Sequence, residues 1–236
     1  MPHRSSSTTS ATSATERRGG GLASLARVVL AAGAIRPFVK GLVGLEVHGA
    51  GNLPERDPFL LVANHDSHLD TLVLLSLFPL RRLARIRPVA AADYWLSSPL
   101  KRFAASACLN VLPVVRGARA GDDPLAPLSA ALSRGESLIL FPEGTRGEPE
   151  VLERFKTGAA RLALAHPEVP LVPVYLAGSG RSLPRGTALF VPLVVRVAIG
   201  EPLAVSGTPR EATARLEEAV RALGREVVPE AAGVAR

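Results

Sequence analysis

The segment Asn64-His65-Asp66-Ser67-His68-Leu69-Asp70 places a histidine five residues ahead of an aspartate, directly after the apolar run Pro58–Asn64. Such a run ending at His65 reads as a strand. Asp66 or Ser67 can cap a helix that follows, which puts Asp70 in its first turn. From there the aspartate can fold back and accept the proton on one imidazole nitrogen. It thereby fixes the tautomer, stabilises the imidazolium and leaves the other nitrogen to take a proton from a hydroxyl. His65 is predicted to be a general base and Asp70 its partner, an arrangement typically worth ~10²–10⁴ in rate. This spacing also arises by accident, and the strand-end position is what raises it above background. His68 is a rival base and, with His65, could ligate a metal. No second group of histidines or acids joins them in the sequence, so no metal is predicted.

A second constellation, Phe141-Pro142-Glu143-Gly144-Thr145-Arg146-Gly147, follows the apolar run Glu136–Phe141. Proline and two glycines turn the chain and present Arg146. An arginine at a strand end can clamp a phosphate, while Glu143 orients it or a substrate hydroxyl. An ordinary surface turn with a solvated arginine is the competing reading. Arg116 ends a further apolar run, Leu109–Val115. Lys156, in Phe155-Lys156-Thr157-Gly158 at the opening of a helical pattern, could draw an anion to the helix amides or simply be solvated. Val169-Pro170-Leu171-Val172-Pro173-Val174 carries two prolines, which are unusual within a buried strand. It reads as an irregular strand end beside an apolar channel, or as an edge strand.

Together these stretches resemble the glycerolipid acyltransferase family, whose best-known members are lysophosphatidic acid (1-acylglycerol-3-phosphate) acyltransferases. NHDSHLD is similar to that family's first block, VVRG to its second, FPEGTR to its third and VPLVPV to its fourth, in the family's order across roughly residues 44–205. The resemblance implies that His65 activates the acceptor hydroxyl with Asp70 as its partner. It implies an acceptor-phosphate site at Arg116, Glu143, Gly144 and Arg146, with Thr145 and Lys156 as further substrate-binding candidates, and an acyl-chain surface at Val169, Pro170 and Pro173. The activity implied is transfer of a fatty acyl group from a thioester, acyl-coenzyme A or acyl carrier protein, to the free hydroxyl of a lysophospholipid such as lysophosphatidic acid, giving phosphatidic acid. Where many members carry a lysine, this sequence reads Ala90-Ala91-Ala92-Asp93-Tyr94-Trp95. Another acceptor, a glycan headgroup or a different lysolipid, therefore stays open, as does a non-enzymatic binder of anionic membranes or nucleic acid. A thioester is already activated, so neither a covalent intermediate nor a cofactor is expected. The sequence has no G-x-S-x-G elbow, and Ser67 is expected to cap a helix rather than attack.

The elements that must position these residues follow from periodicity. Apolar runs at 58–64, 87–92, 109–115, 136–141, 170–177 and 189–199 read as buried strands, alternating with helical patterns at 68–78, 98–106, 124–134, 155–166 and 210–224. That alternation predicts an α/β fold, with a mostly parallel or mixed central sheet and helices on both faces, and sites at the carboxyl ends of the strands. Residues 21–43, apolar but punctuated by Arg27, Arg36 and Lys40, predict an amphipathic helix that either lies on a membrane or packs on the domain at 44–228. Residues 1–20, rich in Ser and Thr, and 229–236 are predicted to be a disordered tail and a flexible end.

Composition narrows the partners. The chain has 236 residues, a net charge of +7 and a single cysteine, Cys108, so no intrachain disulfide is possible. The longest charge-free stretch, Phe103–Val115, falls short of the ~18–20 residues a spanning helix needs. Arg17-Arg18 hints at an export signal, but Arg27 and Arg36 interrupt the apolar core it would need. Twenty-five of the 28 cations are arginine, which suits phosphate-bearing partners. The basic residues nowhere run beyond two and only ten aromatics are present, so an anionic membrane surface is expected rather than nucleic acid. A peripheral enzyme on the cytoplasmic face of a membrane, possible acyl carrier protein contacts included, is the resulting expectation.

Overall fold

The structure, a computed structural model of the chain, describes residues 33, 36–41, 43–92, 109–114, 123–145, 151–182, 191 and 193–228. The tail at 1–20, most of the segment at 21–43, the helix expected at 98–106, the aromatic pair Tyr94-Trp95, both Arg116 and Arg146, and residues 229–236 lie outside the described residues.

In chain order the elements are α1 (Arg36–Gly41), β1 (Leu45–His48), β2 (Leu60–Ala63), α2 (His68–Ser76), β3 (Ile86–Ala91), β4 (Leu112–Val114), α3 (Ala126–Ser133), β5 (Ser137–Leu140), α4 (Gly158–Ala165), β6 (Leu171–Ala177), α5 (Ser179–Ser182), β7 (Val195–Ile199) and α6 (Pro209–Val227). The seven strands form one sheet in the order β1-β7-β6-β2-β5-β3-β4. Every neighbouring pair is parallel except β6 with β7. This is the mostly parallel α/β sheet that the alternation of runs predicts.

Period-two alternation sends successive side chains to opposite faces, and both faces here are covered. Leu61, Ala63, Ile139, Val172, Val174 and Val197 pack with Val39 of α1 and Leu69, Val73 and Leu74 of α2. Leu60, Val62, Leu138, Leu140, Leu171 and Tyr175 pack with Leu128 and Leu132 of α3, Leu162 of α4, and Leu216 and Val220 of α6. A strand covered on both faces has no reason to alternate polar with apolar, and β2 and β5 are buried at every position.

Three expectations are corrected. β1, Leu-Glu-Val-His, is a strand that the runs of apolar residues did not reveal. It lies at the sheet edge, where half-exposed and exposed residues alternate. Next, β6 is an interior strand flanked by β2 and β7 rather than an edge. It tolerates Pro173 because the β6–β7 ladder begins there: the Pro173 carbonyl accepts the Gly200 N–H at 2.9 Å, and the return bond a proline cannot donate lies at the ladder's end. Finally, α4 begins at Gly158, not at Phe155. The Phe155 N–H is given to Glu217 of α6 and the Lys156 N–H to the Pro142 carbonyl, which draws both residues out of the helix and onto its neighbours.

The amino end of the sheet is closed by Arg82. Its guanidinium pairs with Asp57 at 2.8 Å, donates to the Pro54 carbonyl and lies over the rings of Phe59 and Phe78. Asp57 also accepts from Ser137 Oγ at 2.7 Å, at the start of β5. No helix among the described residues is long and apolar enough to cross a membrane.

Candidate active site

At the carboxyl end of β2 the chain leaves the sheet through Asn64, whose side chain donates to the Leu176 carbonyl at 2.9 Å and accepts the Leu176 N–H at 2.7 Å. This two-way clasp ties the β2 end to β6 and fixes where His65 emerges. Ser67 then caps α2: its side chain accepts the Leu69 N–H, and Asp70 completes a reciprocal capping box. Asp70 is completely buried. Its Oδ2 receives three donors, each at 2.8 Å: the His65 ring at Nδ1 and the backbone N–H groups of Asp66 and Ser67. Amides at a helix N-terminus attract negative charge. Against that carboxylate the His65 proton belongs on Nδ1, so Nε2 carries the lone pair. The His65 side chain retains 18% of its exposure, enough for Nε2 to meet a substrate.

The second wall comes from β5. The Phe141 ring stacks on the His65 ring, with centroids 4.1 Å apart and planes 20° from parallel. Glu143 is buried, and its Oε1 accepts the His65 backbone N–H at 3.0 Å. Its Oε2 is also buried and makes no hydrogen bond. Burial pushes the Glu143 carboxyl up to about 8, with the backbone N–H of His65 opposing and the charge of Asp66 adding to the rise. Glu143 thus holds a proton at neutral pH and accepts from the His65 backbone. Gly144 takes φ of 77°, the left-handed region, and a Cβ there would sit 2.4 Å from Lys156 Nζ. The turn and the lysine are therefore pressed together, which brings an ammonium to a loop that also offers the exposed Thr145.

The structure gathers His65, Asp70, Glu143, Gly144, Thr145 and Lys156 at one end of the sheet. Val114, the residue from which the chain leads on towards Arg116, closes β4 at that same end, three strands from β2. It does not bring the acyl-surface candidates there. Val169 is buried in the core and Pro170 is exposed at the opposite end of β6, where the Pro170 carbonyl accepts the Leu60 N–H. Five residues of strand, ~16 Å, separate Leu60 from His65. Pro173 is buried in mid-strand, in register with Val62. Two residues quoted in the family blocks were given no role there: Asn64, a polar side chain closing an otherwise apolar strand, and Phe141, whose ring meets His65 only because β5 lies beside β2.

The Acyltransferase family model matches residues 44–177, a span that holds every residue of this arrangement and more than half of the chain. The chain belongs to the Acyltransferase family. It is 34% identical over 177 residues to a chloroplastic 1-acyl-sn-glycerol-3-phosphate acyltransferase of Brassica napus, covering 72% of this chain and 46% of that one. It is 30% identical over 146 residues to human 1-acyl-sn-glycerol-3-phosphate acyltransferase alpha, covering 59% of this chain and 48% of that one. The chain thus spans about half the length of the curated relatives it matches. The crystal structure of PlsC, the 1-acyl-sn-glycerophosphate (LPA) acyltransferase of Thermotoga maritima, shares the fold, with a TM-score of 0.70 at 22% identity over 92% of this chain and 84% of that one.

Proposed function

We propose that this acyltransferase moves a fatty acyl group from acyl-coenzyme A or acyl carrier protein to the free hydroxyl of a lysophospholipid, lysophosphatidic acid in the first instance, giving phosphatidic acid. The observation that carries the reading is the His65 Nδ1 to Asp70 Oδ2 contact at 2.8 Å, which leaves Nε2 as a base beside a turn bearing Lys156. The relatives' names supply the acceptor.

Nε2 takes the hydroxyl proton as the acceptor oxygen attacks the thioester carbonyl carbon. The tetrahedral intermediate collapses by breaking the C–S bond, and the leaving thiolate takes the proton back from the imidazolium. Asp70 stabilises that imidazolium throughout, and the Phe141 ring and the Glu143 bond to the His65 backbone hold the imidazole in place. Lys156, with Arg116 and Arg146 as sequence candidates, would hold the acceptor phosphate so that its hydroxyl meets His65. The test is free-thiol release from acyl-coenzyme A against a panel of lysolipids, with the product identified by mass. Phosphatidic acid formed from lysophosphatidic acid is expected, and thiol release only with an uncharged acceptor would overturn the phosphate site.

A further inference from the structure

A hydroxyl, an imidazole and a carboxylate come together a second time, at the end of the sheet away from His65. From the Lys156 turn, α4 runs 8 residues, ~12 Å, to its C-cap at His166. There His166 Nε2 lies 2.7 Å from Ser129 Oγ of the neighbouring helix α3, and His166 Nδ1 lies 3.4 Å from Glu168 Oε1. Base and acid share one tight turn, His166-Pro167-Glu168-Val169, closed by the Val169 N–H on the His166 carbonyl at 3.0 Å. Leu171 opens β6 directly after it, which fixes the turn at the amino end of that strand.

With the exposed Glu168 carboxylate accepting from Nδ1, Nε2 carries the lone pair and takes the hydrogen bond of the Ser129 hydroxyl. His166 caps the C-terminus of α4, where the helix dipole favours the imidazolium that forms when Nε2 accepts a proton. A serine inside a helix can turn its hydroxyl to the carbonyl four residues back, and Ser133 does so, donating to the Ser129 carbonyl at 3.1 Å. Ser129 instead gives its backbone N–H to the Leu125 carbonyl and meets His166 with its hydroxyl. Both Ser129 and His166 are half-buried, and Ala126, Ala130 and Ser133 around Ser129 are small and exposed, which leaves room for a small ester beside the hydroxyl. A hydroxyl within hydrogen-bond reach of a base, and a base oriented by a third group, make an activated nucleophile.

We propose that Ser129 is the nucleophile of a second site, one that cleaves small carboxylic esters, with His166 as its general base and Glu168 orienting the imidazole. Ser129 Oγ bonds to the ester carbonyl carbon as His166 Nε2 takes its proton. The tetrahedral intermediate then breaks its bond to the alkoxy oxygen, and the imidazolium returns the proton to the departing alcohol. Water attacks the acyl-serine by the same route, which releases the carboxylic acid and restores Ser129. None of the three residues belongs to the His65 site, so this activity is separate from acyl transfer. The test is p-nitrophenyl acetate with the full chain, read as p-nitrophenol release and as acetylation located by peptide mass mapping. Acetyl is expected on Ser129 and not on the exposed Ser133, one turn along the same helix. His166→Gln and Ser129→Ala are expected to lower release by ~10² or more, and Glu168→Gln, at an exposed position, by about threefold, with circular dichroism as in the wild type. Should either helix-linking variant melt early, the location of the acetyl group and Glu168→Gln still decide. Thiol release from acyl-coenzyme A is expected to be the same in Ser129→Ala as in the wild type. Ser129 left unacetylated or acetylated no faster than Ser133, or release unchanged in a folded His166→Gln, overturns the proposal. A folded Ser129→Ala that loses both activities together overturns it as well.

Discussion

Replacing Glu143 by glutamine removes a buried ionisable group from the joint between β2 and β5 while keeping its shape. In the folded chain burial holds this carboxyl at about 8, against an ordinary 4.5. Between those values the folded protein keeps a proton that the unfolded chain has lost, so wild-type stability falls as pH rises. The contribution is fully present below 4.5 and is lost as pH climbs through about 8. The whole interval, at ~1.4 kcal/mol per pH unit, sets an upper bound of ~5 kcal/mol. Solvent and the exposed Lys156 at the turn screen the site, and ~2 kcal/mol between pH 5 and pH 8 is the expected size. In Glu143→Gln the amide oxygen still accepts the His65 N–H. The new NH₂ replaces a protonated Oε2 that has no partner either, so the pH-independent cost is small, ~1 kcal/mol. The constant penalty and the pH-dependent gain are therefore separable. His65, Asp66, Glu153 and Lys156, the charged or titratable groups around the site, are present in both proteins, so their titration largely cancels in the difference. Urea unfolding at pH 5, 6, 7 and 8 should show the two stability curves converging or crossing as pH rises. Curves that stay parallel across that range would refute the assignment of a neutral, buried Glu143.

His65→Ala should lower thiol release by ~10²–10⁴ with the melting curve unchanged, whereas His68→Ala should be mild; near-wild-type turnover in the first variant removes the base. Asp70→Asn should cost both rate and ~2 kcal/mol of stability, read by urea midpoint, because Oδ2 serves three donors in a fully buried place. Gly144→Ala combines a left-handed φ with a collision at Lys156 Nζ. It should lose ~1–2 kcal/mol and raise the apparent KM for a phosphate-bearing acceptor more than that for the thioester. Arg82→Ala, far from the site, should destabilise by ~3 kcal/mol, seen as a lower Tm, because it leaves the largely buried Asp57 carboxylate without its cation and with Ser137 Oγ alone as donor.

The sequence by itself determined the kind of fold and the first half of the site. Continuous apolar runs such as Leu60–Ala63 and Ser137–Leu140 say that a strand is covered on both faces, because local composition must match local burial. His65 and Asp70 were legible for a similar reason. Their meeting is a short-range event, arranged by a strand end, a capping serine and one helical turn, all within the chain segment that carries them. What the sequence could not supply was anything set by strand order. The stacking of Phe141 on His65, the bond from Glu143 to the His65 backbone and the clasp of Asn64 on Leu176 each join residues 76 to 112 positions apart. They exist because β2 lies between β5 and β6, a fact that no local pattern encodes. The same holds for Val169 and Pro170, which lie near the site blocks in sequence character but at the wrong end of β6. It holds again for Lys156, which reads as the first turn of a helix until tertiary hydrogen bonds to Pro142 and from Phe155 to Glu217 pull that turn open. Burial and local hydrogen bonding act on the residues where they are written, whereas the direction and order of strands settle which distant residues share an end of the sheet, and so where a charge, a ring and a base come together.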